Sequence, residues 1–139
     1  MSGVLFGVGV GPGAPDLMTL RAARLIAAAQ VIAYPALAGT SSFARAIAQD
    51  LIAPGTVEIA MDVPMKTARA PAQAAYDHGA AEIAAHLDAG RDVVCLCEGD
   101  PFFYGSFMYL FARLSTRFQC EVVPGVTSIT ACAALAGRP

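Results

Sequence analysis

Asp92–Ser106 reads DVVCLCEGDPFFYGS. The apolar run Val93–Cys97 stops at an acidic, glycine and proline cluster, the pattern of a buried strand running into a loop at the edge of a sheet. Helical residues resume at Ser106. In α/β folds ligands sit beyond the carboxyl ends of the strands, so Glu98, Gly99 and Asp100 make this loop a candidate site. Gly99 lets a ligand approach the backbone, and Pro101 stiffens the turn after it. An ordinary strand-to-helix turn is the alternative on the same residues.

Working outward to the N-terminus, Val4–Val10 reads as a first buried strand whose glycines 7, 9, 11 and 13 lead into a loop ending at Pro15-Asp16. Asp16 is the expected N-cap of a helix Leu17–Gln30, with Met18, Ala22, Leu25 and Ala29 on a buried stripe and Arg21 and Arg24 together on a solvated one. Gly9-x-Gly11-x-x-Ala14 fits the dinucleotide fingerprint formally. Pro12 removes an N–H from that cradle, however, and no acid follows the second strand, Val31–Tyr34, to hold a ribose. Gly39–Ser42 is expected to turn the chain and cap a helix through about Ile52. Pro54-Gly55 breaks it before a third strand at Val57–Ala60. Asp62–Pro71 then reads as a long polar loop carrying Lys66 and Arg69, either solvated cations or residues lining a site.

Pro71 suits the first turn of the next helix, whose Tyr76, Ala80, Ile83 and Leu87 form an apolar stripe ending at Gly90. His78, Glu82 and His86 recur every four residues on it, but two turns of about 5.4 Å separate the histidines, so they read as a polar outer face and no metal is expected. Beyond the opening stretch, Ser106–Arg117 is a helix with Phe107, Leu110, Phe111 and Leu114 inward, and Gln119–Val123 is the fifth strand. Pro124-Gly125 ends it. Thr127 or Ser128 starts a last helix, its hydroxyl capping the helix or meeting a ligand carboxylate, and Gly137 terminates it. Strands alternating with helices predict an open, mostly parallel five-stranded sheet flanked by helices, an α/β fold.

With 139 residues, 56% hydrophobic and 14% charged, the chain suits one domain with a well-buried core. No apolar run approaches the roughly 18 residues that span a bilayer and no basic n-region opens the chain, so a cytoplasmic protein without a membrane partner is expected. A net charge of -2 with nine scattered Lys and Arg offers no basic face for nucleic acid. The four cysteines form no C-x-x-C pair and are expected to be buried structural thiols rather than a zinc or disulfide site.

Three segments, Gly7–Ala23 (GVGVGPGAPDLMTLRAA), EGDPFFYGSFMYL and Val122–Gly137 (VVPGVTSITACAALAG), occur in an order that resembles the tetrapyrrole methylases, which use S-adenosylmethionine. The resemblance implies the first of two α/β domains, residues 1–139, with the methyl donor held in a cleft against a second domain that this chain lacks. It assigns the donor contacts to Pro12, Gly99, Asp100, Phe103, Thr127 and Ser128. Ala33–Pro35, the EGDP segment and PGVTS look most like members that methylate precorrin-2 at C20 to give precorrin-3A in cobalamin biosynthesis. Uroporphyrinogen-type members carry an acid, implicated in proton removal, where this sequence has Pro35, which cannot take a proton. The carboxylates of a tetrapyrrole substrate call for cations, and Arg21, Arg24, Lys66 and Arg69 are the candidates. A homo-oligomer, a dimer within this family, is expected. The alternatives are methylation of another precorrin or cobalt-precorrin carbon, or a non-catalytic nucleotide-binding module.

Overall fold

The computed structural model describes residues 1–37, 40–64 and 68–139. Strands β1 (Leu5–Gly9), β2 (Val31–Leu37), β3 (Val57–Val63), β4 (Val93–Cys97) and β5 (Cys120–Val123) form one sheet in the order β3-β2-β4-β1-β5. The expected α/β sheet is present, and every pairing in it is parallel. β4 lies in the middle with all its residues buried, because helices cover both faces of a parallel sheet. Its unbroken apolar run is the sequence consequence of that position.

Helices α1 (Leu20–Ala28) and α2 (Phe43–Ala48) cover one face. Ala22, Ile26, Ala44 and Ile47 pack there on Val8, Ile32, Val94 and Leu96. Helices α3 (Arg69–Asp88) and α4 (Phe107–Leu114) cover the other, where Tyr76, Ile83, Leu87, Phe107 and Leu110 meet Leu5, Ala33, Ile59 and Cys95. The stripe Tyr76, Ala80, Ile83 and Leu87 is buried, as its spacing predicts. After β1 the chain moves toward β3, and after β3 it turns back toward β5. The loops leaving the adjacent strands β1 and β4 therefore diverge to opposite faces, opening a crevice at their carboxyl ends.

Helix α5 (Ser128–Ala136) follows β5 and has no buried residue; Ile129 is 64% and Leu135 92% exposed. Near the β3 edge, Glu58 accepts hydrogen bonds from Arg45 and from the Tyr34 hydroxyl, tying α2 across β2 to the outermost strand. The Arg45 guanidinium holds the Glu58 carboxyl below its ordinary range. Among the described residues no helix is long and apolar enough to cross a membrane, and no group of three or more His, Cys, Asp or Glu is placed to hold a metal. His78 instead lies 2.8 Å from Glu82, and His86 Nδ1 accepts from Arg91.

Several local expectations are corrected. Asp16 does not cap α1: Pro15–Leu17 forms a separate 3₁₀ turn, and the cap is Thr19, whose Oγ1 accepts from the Ala22 N–H at 3.1 Å. The helix is accordingly shorter at both ends than Leu17–Gln30. Asp62 and Val63 continue β3 instead of starting a loop; as an edge strand β3 exposes alternate residues, so an outward Asp fits it. Cys95 and Cys97 are buried as expected, but Cys120 is half-buried and Cys132, on the uncovered α5, is exposed.

Candidate functional site

Three loops meet at the carboxyl ends of β4, β1 and β5. Gly11 and Gly99 exchange backbone hydrogen bonds, Gly99 N–H to Gly11 O at 2.8 Å and Gly11 N–H to Gly99 O at 3.3 Å, which joins the loops across the β1/β4 crevice. The Asp100 carboxylate adds the third loop. Its Oδ1 accepts from the Gly125 N–H at 2.8 Å and its Oδ2 from the Phe102 N–H at 2.9 Å. The acid in EGDP is thus an internal tie between two loops, with both oxygens engaged by the backbone.

Glycine is required where these loops touch. A Cβ on Gly9 would lie 2.5 Å from the Gly99 carbonyl oxygen and 2.9 Å from the Gly125 Cα, distances that real Cβ atoms do not adopt. Gly99 itself has φ +61, a left-handed conformation open to glycine at little cost.

A cleft of about 270 Å³ lies over this junction, lined by Pro12, Glu98, Gly99, Asp100, Phe103, Tyr104, Thr127, Ser128 and Ile129. The fold thus brings into one cleft the residues from three distant segments that the family resemblance assigns to the methyl donor. Thr127 caps α5, its Oγ1 accepting from the Thr130 N–H at 3.4 Å, so the helix start faces the cleft. Arg21, Arg24 and Arg69 are exposed and line neither this cleft nor the two beside it. Lys66 lies outside the described residues.

Two further clefts adjoin the first. One of about 230 Å³ lies among Pro35, Met61, Tyr76, Cys97, Glu98, Tyr104, Phe107 and Leu110; another of about 250 Å³ includes Pro35, Leu37, Phe43, Val63, Tyr76 and Glu98. Their walls are mostly apolar. A hydrogen bond with Cys95 and burial push the free Cys97 thiol well above its ordinary value, and burial raises the Tyr76 phenol, so both stay protonated near neutral pH. Tyr104 stands at the loop tip, 95% exposed, with φ 53. Sequence reasoning noted Glu98 only as part of the loop and passed over Tyr104. The signal available for Glu98 was its place directly after a fully buried strand.

A family model described as Tetrapyrrole (Corrin/Porphyrin) Methylases matches residues 4–139. The chain is 44% identical over 151 residues to a precorrin-2 C(20)-methyltransferase from Sinorhizobium sp, covering all of this chain and 62% of that protein. It is 35% identical over 140 residues to a cobalt-precorrin-2 C(20)-methyltransferase from Salmonella typhimurium, covering all of this chain and 59% of that one. Among solved structures, a uroporphyrin-III C-methyl transferase from Thermus thermophilus complexed with S-adenyl homocysteine matches with a TM-score of 0.66 at 30% identity, over 94% of this chain and 48% of that one. The chain therefore spans about 60% of the length of these curated relatives.

Proposed function

The chain belongs to the tetrapyrrole methylase family, and from that premise we propose that the intact protein transfers a methyl group from S-adenosylmethionine to C20 of precorrin-2, giving precorrin-3A in cobalamin biosynthesis. One observation carries the reading. Pro12, Gly99, Asp100, Phe103, Thr127 and Ser128 come from three segments up to 116 positions apart, and they line a single cleft at the sheet's switch point. The loops pack backbone to backbone because Gly9 and Gly125 lack side chains, and Gly99, which lines the cleft, presents main chain to it. The donor's sulfonium methyl is already electrophilic and the macrocycle supplies a carbon nucleophile, so the chain's task is to align them at about 3 to 3.5 Å.

Similarity to a C20-methylating relative over the whole chain supports the position of transfer. Pro35, which offers no proton acceptor, supports a member distinct from the uroporphyrinogen type. A second wall for the cleft, from further chain or a partner subunit, belongs to the same proposal, as does a homo-oligomer working in the cytoplasm. Arg21, Arg24, Lys66 and Arg69 remain the proposed cations for the substrate carboxylates. The deciding experiment is mass spectrometry and carbon NMR of precorrin-2 incubated with donor and the intact protein. A gain of one methyl at C20 is expected. Methyl at another carbon, or transfer only to the cobalt complex, would overturn the assignment to precorrin-2 C20.

Asp100 offers an internal check. In Asp100→Ala the N–H groups of Gly125 and Phe102 lose a charged acceptor, and such bonds contribute about 1.5–3 kcal/mol each when well formed. The variant should lose about 3 kcal/mol of stability in urea titration and bind S-adenosylhomocysteine about tenfold more weakly by calorimetry. Unchanged affinity with lowered stability would restrict Asp100 to a structural tie.

A further inference from the structure

Methyl transfer to a ring carbon that bears hydrogen leaves a proton to be removed, and Pro35 takes none. Glu98 stands where three clefts meet. It lines the cleft proposed for the donor and both neighbouring clefts, and Pro35 lines those two neighbours. Glu98 is thus the carboxylate that borders all three clefts. We propose that the Glu98 carboxylate accepts the proton lost by the methylated carbon, an inference that rests on the methyltransferase reading above.

The other groups around the junction leave this role to Glu98. Asp100, the second carboxylate there, has both oxygens engaged by backbone N–H groups. Cys97 and Tyr76 are held protonated, and Cys95 is buried in the core. Tyr104 is the remaining neighbour and brings a hydroxyl, not a carboxylate. Glu98 is exposed to the clefts, and among the described residues its carboxylate has no hydrogen-bond or ion-pair partner within the chain.

The step balances. An electron pair of the macrocycle forms the new C–C bond to the sulfonium methyl, and the S–CH₃ bond breaks with its electrons going to sulfur, leaving a neutral thioether. The ring has gained one positive charge. Its methylated carbon then gives its proton to Glu98, the C–H electrons return to the conjugated ring, and the ring is neutral again. The carboxylic acid loses the proton to solvent through its exposed side.

The test compares the intact wild type with Glu98→Gln and Glu98→Asp, measuring methylation, S-adenosylhomocysteine affinity, the pH profile and the location of the new methyl. The expected result for Glu98→Gln is a kcat lowered about a hundredfold, with affinity within about threefold of wild type. The acid limb of the wild-type kcat profile should disappear, and deuterium at the reacting carbon should slow the variant more than the wild type. Glu98→Asp should restore about a tenth or more of the rate, since it keeps the carboxylate. A Glu98→Gln rate within about threefold of wild type overturns the inference, and so does a fall in donor affinity that matches the fall in rate. A methyl on another hydrogen-bearing carbon overturns the C20 reading alone, and the same comparison still decides Glu98. A methyl on a carbon without hydrogen overturns both.

Discussion

Gly125→Ala should cost the protein about 3 kcal/mol of stability and lower its affinity for S-adenosylhomocysteine by about a hundredfold or more. The added Cβ would fall far inside van der Waals contact distance of the Gly99 carbonyl oxygen and 3.0 Å from the Gly9 Cα. Both neighbours are backbone, so no side chain can swing aside, and relief requires the β1, β4 and β5 loops to separate. Separation breaks the Gly125 N–H bond to Asp100 and strains the Gly11–Gly99 pair, the contacts that shape the cleft. Gly55→Ala is the control. Gly55 has φ +84 but nothing within 4 Å of its added Cβ, so it should show a conformational cost of about 1 kcal/mol and unchanged affinity. Urea titration and calorimetry on the intact protein give both numbers. If Gly125→Ala behaves like Gly55→Ala, the three loops are looser than their geometry implies and the glycine junction does not shape the site.

The same junction marks the limit of what the residues disclose without coordinates. β4 and the α3 stripe were legible because burial on both faces, or on one helical face, imposes a local apolar pattern. The start of α1 was not. Asp16 and Thr19 are both competent caps three residues apart, and the choice falls to Thr19 because Pro15–Leu17 is used up in its own turn. The continuation of β3 through Asp62 was hidden because an edge strand tolerates polar residues on its open face. Strand order depends on pairings between distant segments and leaves no local trace. Resemblance pointed to the residues of three motifs, and the fold gathers them around one cleft. That Asp100 spends its carboxylate on Gly125, 25 positions away, and that Glu98 borders three clefts, are facts of tertiary placement alone.

Expressed alone, these 139 residues should unfold cooperatively yet transfer methyl at least about a thousandfold more slowly than the intact protein. Folding rests on the core: two apolar clusters sit on opposite faces of one sheet, and a domain of this size buries roughly two thirds of its unfolded surface. Slow transfer rests on the open side of the cleft. Around its mouth Phe103, Tyr104 and Ile129 are 45%, 95% and 64% exposed, so a donor resting on the loops would face water on its other side. A loss of only about 4 kcal/mol in positioning the methyl lowers the rate roughly a thousandfold. The same rim, with the uncovered α5 carrying Leu135 at 92% exposure, is an apolar surface that self-association would cover, so light scattering should report an oligomer. Donor affinity should be weak or absent by calorimetry for the same reason. Near-normal methylation of precorrin-2 by these residues alone would show that one wall is enough, and the exposed aromatics would then need another explanation than a missing partner surface.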